Sequence, residues 1–170
     1  MSEGEHARVV ATDTSVLINL CHVNRLPLFS QLPGLKFIIT EYVKTEITKE
    51  DQLKQVEEAI KYGCISVEVI TDPEEIQKYA ELNKVLGKGE AACLAMAKHR
   101  NWLVSCDKKN RVFIREAASR LGRDRIITTS DLVVRAIEAS VISVNETDRW
   151  ISVWTRNRFV VKINTFRELL

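Results

Sequence analysis

The sequence predicts an α/β protein, a three-layer sandwich around a mostly parallel sheet of five strands. Short runs rich in Val and Ile alternate with longer stretches of helical periodicity, and polar residues close each run. Strands that alternate with helices along a chain generally pair in parallel and are covered on both faces. A chain of 170 residues is long enough to bury one such core.

Five apolar runs have the length of strands. They are RVVATD at 8–13, KFIIT at 36–40, SVEVIT at 66–71, WLVSCD at 102–107 and RIITTSD at 125–131. Runs of this length that are bounded by polar residues are typical of buried strands.

The segments between these runs predict the helices. Residues 41–61 predict two helices or one bent helix, and Asp72-Pro73 is a start signal for a helix over 74–86. Further helices are predicted at 89–99, 108–121 and 131–139. We divide the chain into one domain, residues 1–145, and a helical or extended appendage, residues 146–170, that packs on it.

Composition excludes several classes of protein. The net charge is only +2, so a basic surface would have to come from local clustering. The cysteines form no CxxC pair and have apolar neighbours, which predicts reduced core thiols rather than disulfides or a zinc site: Cys21, Cys64, Cys93 and Cys106. The chain has no signal-peptide pattern and no charge-free run of about 20 residues, so we expect a cytoplasmic protein without membrane contact.

Four acidic residues stand where strands end or helices begin. Asp13 and Asp107 close the first and fourth runs, so we expect them at one edge of the sheet, where open parallel sheets bind ligands. Glu46 and Glu90 are expected near helix starts. Taken singly, each acid also fits a helix cap, a dipole partner or a solvated surface position.

As a set, these acids indicate a metal site. Two carboxylates about 5 Å apart repel each other by roughly 3 kcal/mol at an effective dielectric constant of 20, so a bound cation would compensate a cluster of them. An all-oxygen site suits Mg²⁺ or Mn²⁺. Such an ion lowers the pKa of a bound water and neutralises a phosphoryl group, as phosphodiester hydrolysis requires.

Motifs at the same residues resemble the PIN-domain nucleases, and most closely the small single-domain toxins of toxin–antitoxin pairs. They are D-T-S after the first strand, E-I in the next helical element, G-x-G-E-A at a helix start and D-K-K-x-R after a later strand. The resemblance covers about residues 8–140, and the tail matches more loosely.

The resemblance implies a sheet of order 3-2-1-4-5 and a Mg²⁺- or Mn²⁺-dependent endoribonuclease that acts on single-stranded or structured RNA. The family's acidic residues correspond to catalytic Asp13, Glu46, Glu90 and Asp107, of which Asp13, Glu90 and Asp107 would bind the metal. Some relatives have a second acid where Cys106 stands here, and Asn110 or Asp131 could supply a further polar group. Asp131 also fits a cap of the helix that follows it.

Expected partners are an RNA substrate, an antitoxin protein and a second copy of the chain. The predicted RNA contacts are Thr14, Ser15, Lys88, Lys108, Arg111 and Arg115, the last three at helical spacing i, i+3 and i+7. That helix face could equally be an ordinary solvated one. In the tail, Trp150 and Trp154 share one helix face, which either packs on the domain or binds a protein partner.

Two other functions compete with the nuclease. A catalytically weak or inactive protein that binds RNA or acts as a scaffold would explain the single acid at position 107. A phosphatase or signalling domain is disfavoured, because Ser15 stands where a haloacid-dehalogenase-like phosphatase has its second acid. The chain also contains neither G-x-S-x-G nor a P-loop motif.

Overall fold

The five apolar runs form one parallel sheet in the computed structural model, which describes residues 6–107 and 111–170. The strands are β1 Arg8–Thr12, β2 Leu35–Thr40, β3 Ser66–Glu68, β4 Leu103–Ser105 and β5 Ile126–Ile127. They lie in the order β3-β2-β1-β4-β5, and all four neighbouring pairs are parallel. Both the predicted α/β class and the implied strand order are confirmed.

Helices connect and cover the strands. They are α1 Thr14–His22, α2 Leu28–Gln31, α3 Glu41–Glu46, α4 Glu50–Lys61, α5 Pro73–Leu82, α6 Lys88–Arg100, α7 Arg111–Leu121, α8 Thr129–Glu138 and α9 Val144–Arg156, with short 3-10 helices at Arg123–Arg125 and Phe166–Leu169. Residues 41–61 therefore form two helices. The four-residue α2 was not predicted, because a single turn is too short to show periodicity.

Polar residues at the ends of the strands start the next helices. Asp13 caps α1, and Asp72 caps α5 through Glu74 N at 2.8 Å, with Pro73 as the first helical residue. At α8 the cap is Thr128 rather than Asp131. Asp131 lies one turn into the helix and its carboxylate accepts from Thr128 N at 2.8 Å, completing a capping box.

Helix α6 lies against the middle of the sheet and brings its first turn to the sheet's carboxyl edge. Residues 91–97 are all fully buried, and most of them are Ala or Cys. Because its side chains are small on every face, the helix approaches β1, β2 and β4 closely. It also contacts the helices α5 and α7. This packing fixes where Gly89 and Glu90 lie relative to the strand ends.

The tail forms a small second core on the same domain. Val133, Trp150, Trp154 and Phe166 are its buried members, and the two indole rings meet edge to face at 5.8 Å between centroids. Trp150 is 6% exposed and Trp154 is fully buried, so the intramolecular packing alternative is correct and these rings face no partner. Helix α9 begins at Val144 and crosses the predicted boundary between residues 145 and 146.

The cysteines are free thiols, three of them buried and Cys64 half-buried, as expected for reduced core residues. Across residues 6–107 and 111–170, no helix has both the length and the apolar character that crossing a membrane requires.

Candidate acidic site at the carboxyl edge of the sheet

Asp13 and Asp107 lie on neighbouring strands at the same edge of the sheet. Strands β1 and β4 are in register at Thr12 and Ser105, and Asp13 N donates to Ser105 O at 3.0 Å. Asp107 follows two residues later, and both acids are only 6% exposed. Short strands that end at one level thus place both carboxylates where the parallel sheet opens.

Asp13 is both a helix cap and a member of this group. Its Oδ2 accepts from Ser15 N at 3.3 Å and from Ser15 Oγ at 2.7 Å. The capping interpretation of D-T-S is therefore correct, and it holds the carboxylate at the start of α1 in a fixed orientation.

Glu46 reaches this edge from a different place than expected. It is the last residue of α3, not a residue near a helix start. Its side chain crosses to two other helix starts, where Oε1 accepts from Gly89 N at 2.8 Å and Oε2 accepts from Thr14 Oγ1. A carboxylate at the C-terminus of a helix is repelled by the negative end of the helix dipole. The Glu46 side chain instead contacts the positive N-terminal ends of α1 and α6, which attract it.

The contact with Glu46 explains the second glycine of G-x-G-E-A. A Cβ on Gly89 would lie 2.7 Å from Glu46 Oε2 and 2.8 Å from Oε1, closer than such atoms pack. Only glycine admits the Glu46 carboxylate against this turn. Glu90, the next residue, accepts from Gly87 N at 3.2 Å in a capping box, so its role as a helix-start partner is real.

Asp107 is held through both of its carboxylate oxygens. Oδ1 accepts from Thr129 N at 3.0 Å, and Oδ2 accepts from Thr129 Oγ1 at 3.0 Å and from Asn19 Nδ2 at 2.6 Å. Asn19 was missed from the sequence, although a polar residue inside the apolar run VLINL is a visible signal. Its backbone oxygen accepts from Trp154 Nε1 at 2.7 Å, so the tail is bonded to the residue that orients Asp107.

Burial and like charge both act on these carboxyl groups. Burial raises the pKa of Asp13 above its ordinary value, and the charge of Glu46 raises it further against the hydrogen bonds from Ser15. Burial likewise raises the pKa of Asp107, the charge of Asp13 adds to it, and the bonds from Thr129 and Asn19 oppose it. A cation at this edge would favour the charged form of both acids.

Two buried thiols lie within the field of the same acids. Burial is the main cause that raises the pKa of Cys93 and of Cys106, and the charges of Asp13 and Glu90 raise both further. A thiol held protonated is neither a nucleophile nor a soft metal ligand. Both thiols are therefore protonated and weakly reactive near neutral pH.

Three of the six predicted substrate contacts stand at helix starts that border this edge. Thr14 and Ser15 begin α1 beside Asp13 and are half-buried, and Lys88 is the exposed first residue of α6. Arg111 and Arg115 are exposed on α7, with Arg115 Nε 3.8 Å from Glu116 Oε1. Lys108 lies outside the described residues, as does the alternative polar residue Asn110.

The acids are near one another without forming a closed metal site. Over residues 6–107 and 111–170, no three His, Cys, Asp or Glu side chains converge closely enough to hold a metal ion. Protein donors hold Asp13, Glu46, Glu90 and Asp107 in place instead. The edge thus carries carboxylates from four different parts of the chain, each held by hydrogen bonds from the protein.

The comparison with protein families gives one match. The sequence model of a family described as a PIN domain matches residues 9–170. The match includes the tail, beyond the part of the chain in which the motifs were found. Among curated proteins, the comparison gives no match.

Proposed function

We propose that this chain, which belongs to the PIN-domain family, is a metal-dependent nuclease that hydrolyses RNA. PIN domains are in general nucleases, and the proposal for this chain rests on one observation. Asp13 and Asp107 are buried at adjoining strand ends, and the charges of Glu46 and Glu90 act on the same small region. A fold gains no stability from such a group of like charges, so a function is the better explanation.

The residues present fit a hard divalent cation such as Mg²⁺ or Mn²⁺. All candidate donors are oxygen atoms, which these ions prefer. A carboxylate has about four lone-pair positions, so the three hydrogen bonds to Asp107 leave it acceptor capacity. The buried hydroxyls of Thr12 and Ser105 have no hydrogen-bond partner among the described residues, whereas buried polar groups are normally paired.

Asp13, Glu90 and Asp107 would hold the ion, with Glu46 beside them. When bound, the ion supplies a water of lowered pKa and neutralises negative charge on the scissile phosphate. The chain's own groups orient the ligands. Asn19 and Thr129 fix the carboxylate of Asp107, and Gly89 N fixes that of Glu46.

Cations around the edge would position the RNA backbone. Lys88 is the exposed first residue of α6, which carries Glu90, and Arg111 and Arg115 are exposed on α7, which follows Asp107 in the chain. Contacts of this kind bind phosphates without reading sequence and weaken as salt increases. Lys108, outside the described residues, belongs to the same proposed set.

The direct test is cleavage of end-labelled RNA by the purified chain with Mn²⁺ or Mg²⁺. We expect EDTA to abolish cleavage and Asp13→Asn to reduce kcat by about a hundredfold or more, because loss of a metal ligand exceeds the 10–100-fold effect of a residue that only supports one. Asp72→Asn is the matched control. Both aspartates are helix N-caps and asparagine caps equally well, so both variants should fold.

Equal activity of the Asp13→Asn and Asp72→Asn variants would refute the site. Loss of activity in both would point to a folding defect, which the far-UV circular dichroism of each variant would reveal.

We extend the proposal to a toxin whose partners are an antitoxin protein and a second copy of the chain. The order of the four motifs supports this role. Induced expression in a bacterial host should arrest growth, and Asp13→Asn should relieve the arrest. Normal growth with active nuclease in the cell would contradict it.

A second candidate function is RNA binding without turnover. The observations that favour it are that Cys106 stands beside Asp107 instead of a second acid, and that protein donors already engage Glu46, Glu90 and Asp107. Tight binding of RNA by a chain that cleaves none of several RNAs with either metal would support it over the nuclease.

A further inference from the structure

A cavity of about 600 Å³ opens beside Asp107, between the start of α8 and the extended tail after α9. One wall is polar and the other, formed by the tail, is mostly apolar. The polar wall is Asp107, Thr128, Ser130 and Asp131, and the tail wall is Phe159, Val160, Val161, Lys162, Ile163 and Leu169.

The tail wall presents apolar surface to solvent next to the candidate catalytic edge. Val160 is 57% exposed and Leu169 is 42% exposed. Phe159 is half-buried and its ring packs edge to face on Trp154 at 5.3 Å, so it is held in place. A rigid apolar surface of this kind suits a flat ligand with apolar faces.

The polar wall determines which flat ligand fits. Asp107 and Asp131 bring negative charge and acceptor oxygens, and Thr128 and Ser130 bring hydroxyls. This wall repels a phosphate and accepts hydrogen bonds from amino and imino groups. Among the described residues that line the cavity, Lys162 is the one cation, and it lies on the opposite wall, where a backbone phosphate could reach it.

We propose that this cavity is a nucleobase subsite that holds one unpaired base of the RNA, with an adjoining phosphate at Lys162. The inference rests on the proposed nuclease function and deepens it. Base faces pack on Phe159 and Val160, as in proteins that bind single strands through apolar and aromatic surfaces. The base edge meets carboxylate and hydroxyl oxygens, which accept from exocyclic amino groups.

A subsite of this kind requires that the RNA have an unpaired base next to the bound phosphate. A paired base has its hydrogen-bonding edge occupied and its faces stacked on its neighbours. It therefore cannot place its faces and edge against the two walls of the cavity. The volume lies within the range of ordinary ligand sites, about 300–1,000 Å³, and therefore admits a base with part of its ribose. The tail thereby becomes part of the substrate site.

The test is equilibrium binding of short fluorescent RNAs to the full chain in EDTA, measured by anisotropy. Each RNA lacks one base at a different position. For the unmodified chain, we expect one abasic position to weaken binding about tenfold, equal to about 1.4 kcal/mol. Val160→Glu should weaken binding of the intact RNA by a similar factor. Removing that same base should then weaken binding by the Val160→Glu variant no further.

Val69→Glu is the matched control. Val69 is 47% exposed and follows β3, at the opposite edge of the sheet from β5 and α8, so the same substitution there should leave binding unchanged. Leu169→Glu provides a second variant of the cavity wall and should behave as Val160→Glu does. Both replaced side chains are exposed, so the fold should tolerate the change.

Three results would overturn the subsite. If the effects of Val160→Glu and of each missing base on binding simply add, the subsite is wrong and the nuclease proposal is unaffected. A change in the monomer–dimer ratio on Val160→Glu, seen by sedimentation, would assign the cavity to a second copy of the chain. A chain that neither binds nor cleaves RNA would remove the proposed function together with the subsite.

Discussion

Buried carboxylates lie at both ends of α6, and the chain treats them differently. At the C-terminal end, Glu75 is fully buried and accepts from Arg100 Nε at 2.5 Å and Nη2 at 3.0 Å. Arg100 also pairs with Glu68 at 3.1 Å. At the N-terminal end, Asp13 and Asp107 are nearly as buried, and their donors are hydroxyl and amide groups.

The two arrangements differ in how the buried carboxylates are compensated. The hydrogen bond from Arg100 to Glu75 raises the pKa of Arg100, which therefore stays protonated. At the other end, burial raises the pKa of Asp13 and Asp107, and within residues 6–107 and 111–170 no ion pair reaches either acid. A cation supplied from solution would complete the second arrangement as arginine completes the first.

The largest expected effect is on the first arrangement. Arg100→Leu leaves the fully buried Glu75 without its partner, so we expect it to lower the free energy of unfolding by roughly 3 kcal/mol. Urea denaturation monitored by circular dichroism measures this loss. The acids at the other end of α6 are untouched, so kcat per folded molecule should remain within about twofold of the unmodified chain.

Arg25→Leu is the control for this loss. Its partner is Glu146, and the two side chains are 48% and 30% exposed, so the pair should contribute no more than about 1 kcal/mol. Equal losses of unfolding free energy in the Arg100→Leu and Arg25→Leu variants would show that the buried pair stabilises the fold no more than the exposed pair does.

The second expected effect tests whether a cation completes the acidic edge. At tenfold excess over its dissociation constant, Mn²⁺ should stabilise the fold by about 1.4 kcal/mol, which is roughly 3–6 °C in Tm for a chain of this size. The shift should be larger at pH 7.5 than at pH 5.5, because metal ligands must be deprotonated. Differential scanning fluorimetry at several Mn²⁺ concentrations and both pH values measures it.

Without metal, the contribution of Asp13 and Asp107 to the free energy of unfolding should fall as pH rises. The folded-state pKa values of Asp13 and Asp107 are raised, so the folded chain binds more protons than the unfolded chain above about pH 4. These two acids therefore reduce stability as pH rises through their raised pKa values. Asp13→Asn should raise the metal-free Tm at pH 7.5 and remove most of the Mn²⁺ shift, whereas Asp72→Asn should do neither.

Much of this architecture could be predicted from local pattern. Apolar runs located all five strands, and Asp13 and Asp107 were placed together because parallel strands end at one edge. The periodicity indicated only a parallel sheet. The strand order came from the resemblance to PIN domains, since residue patterns do not fix which strands become neighbours.

What could not be predicted depends on contacts between distant parts of the chain. Glu46 was expected near a helix start but ends α3, and only the folded structure brings it to Gly89, 43 residues away. Asn19 meets Asp107 across 88 residues and Trp154 across 135. No local spacing encodes such pairs, so the sequence analysis missed Asn19 and its partners.

The smallest expected effect concerns the bond between the tail and the acidic edge. Trp154→Phe keeps an aromatic ring but removes the donor to Asn19 O, which should cost about 1 kcal/mol of stability. If Asn19 holds Asp107 in its working orientation, Trp154→Phe should also lower kcat several-fold with KM unchanged. Asn19→Leu, which removes the donor to Asp107 itself, should lower kcat about tenfold.

Trp150→Phe separates positioning from packing. Trp150 lies in the same small core and is 6% exposed, but the bond to Asn19 comes from Trp154. Both substitutions should reduce the stability of the tail, and only Trp154→Phe should reduce kcat. Equal stability losses without any change in kcat would mean that the tail packs against the domain without orienting Asp107, since a positioning role requires that turnover depend on the indole N–H.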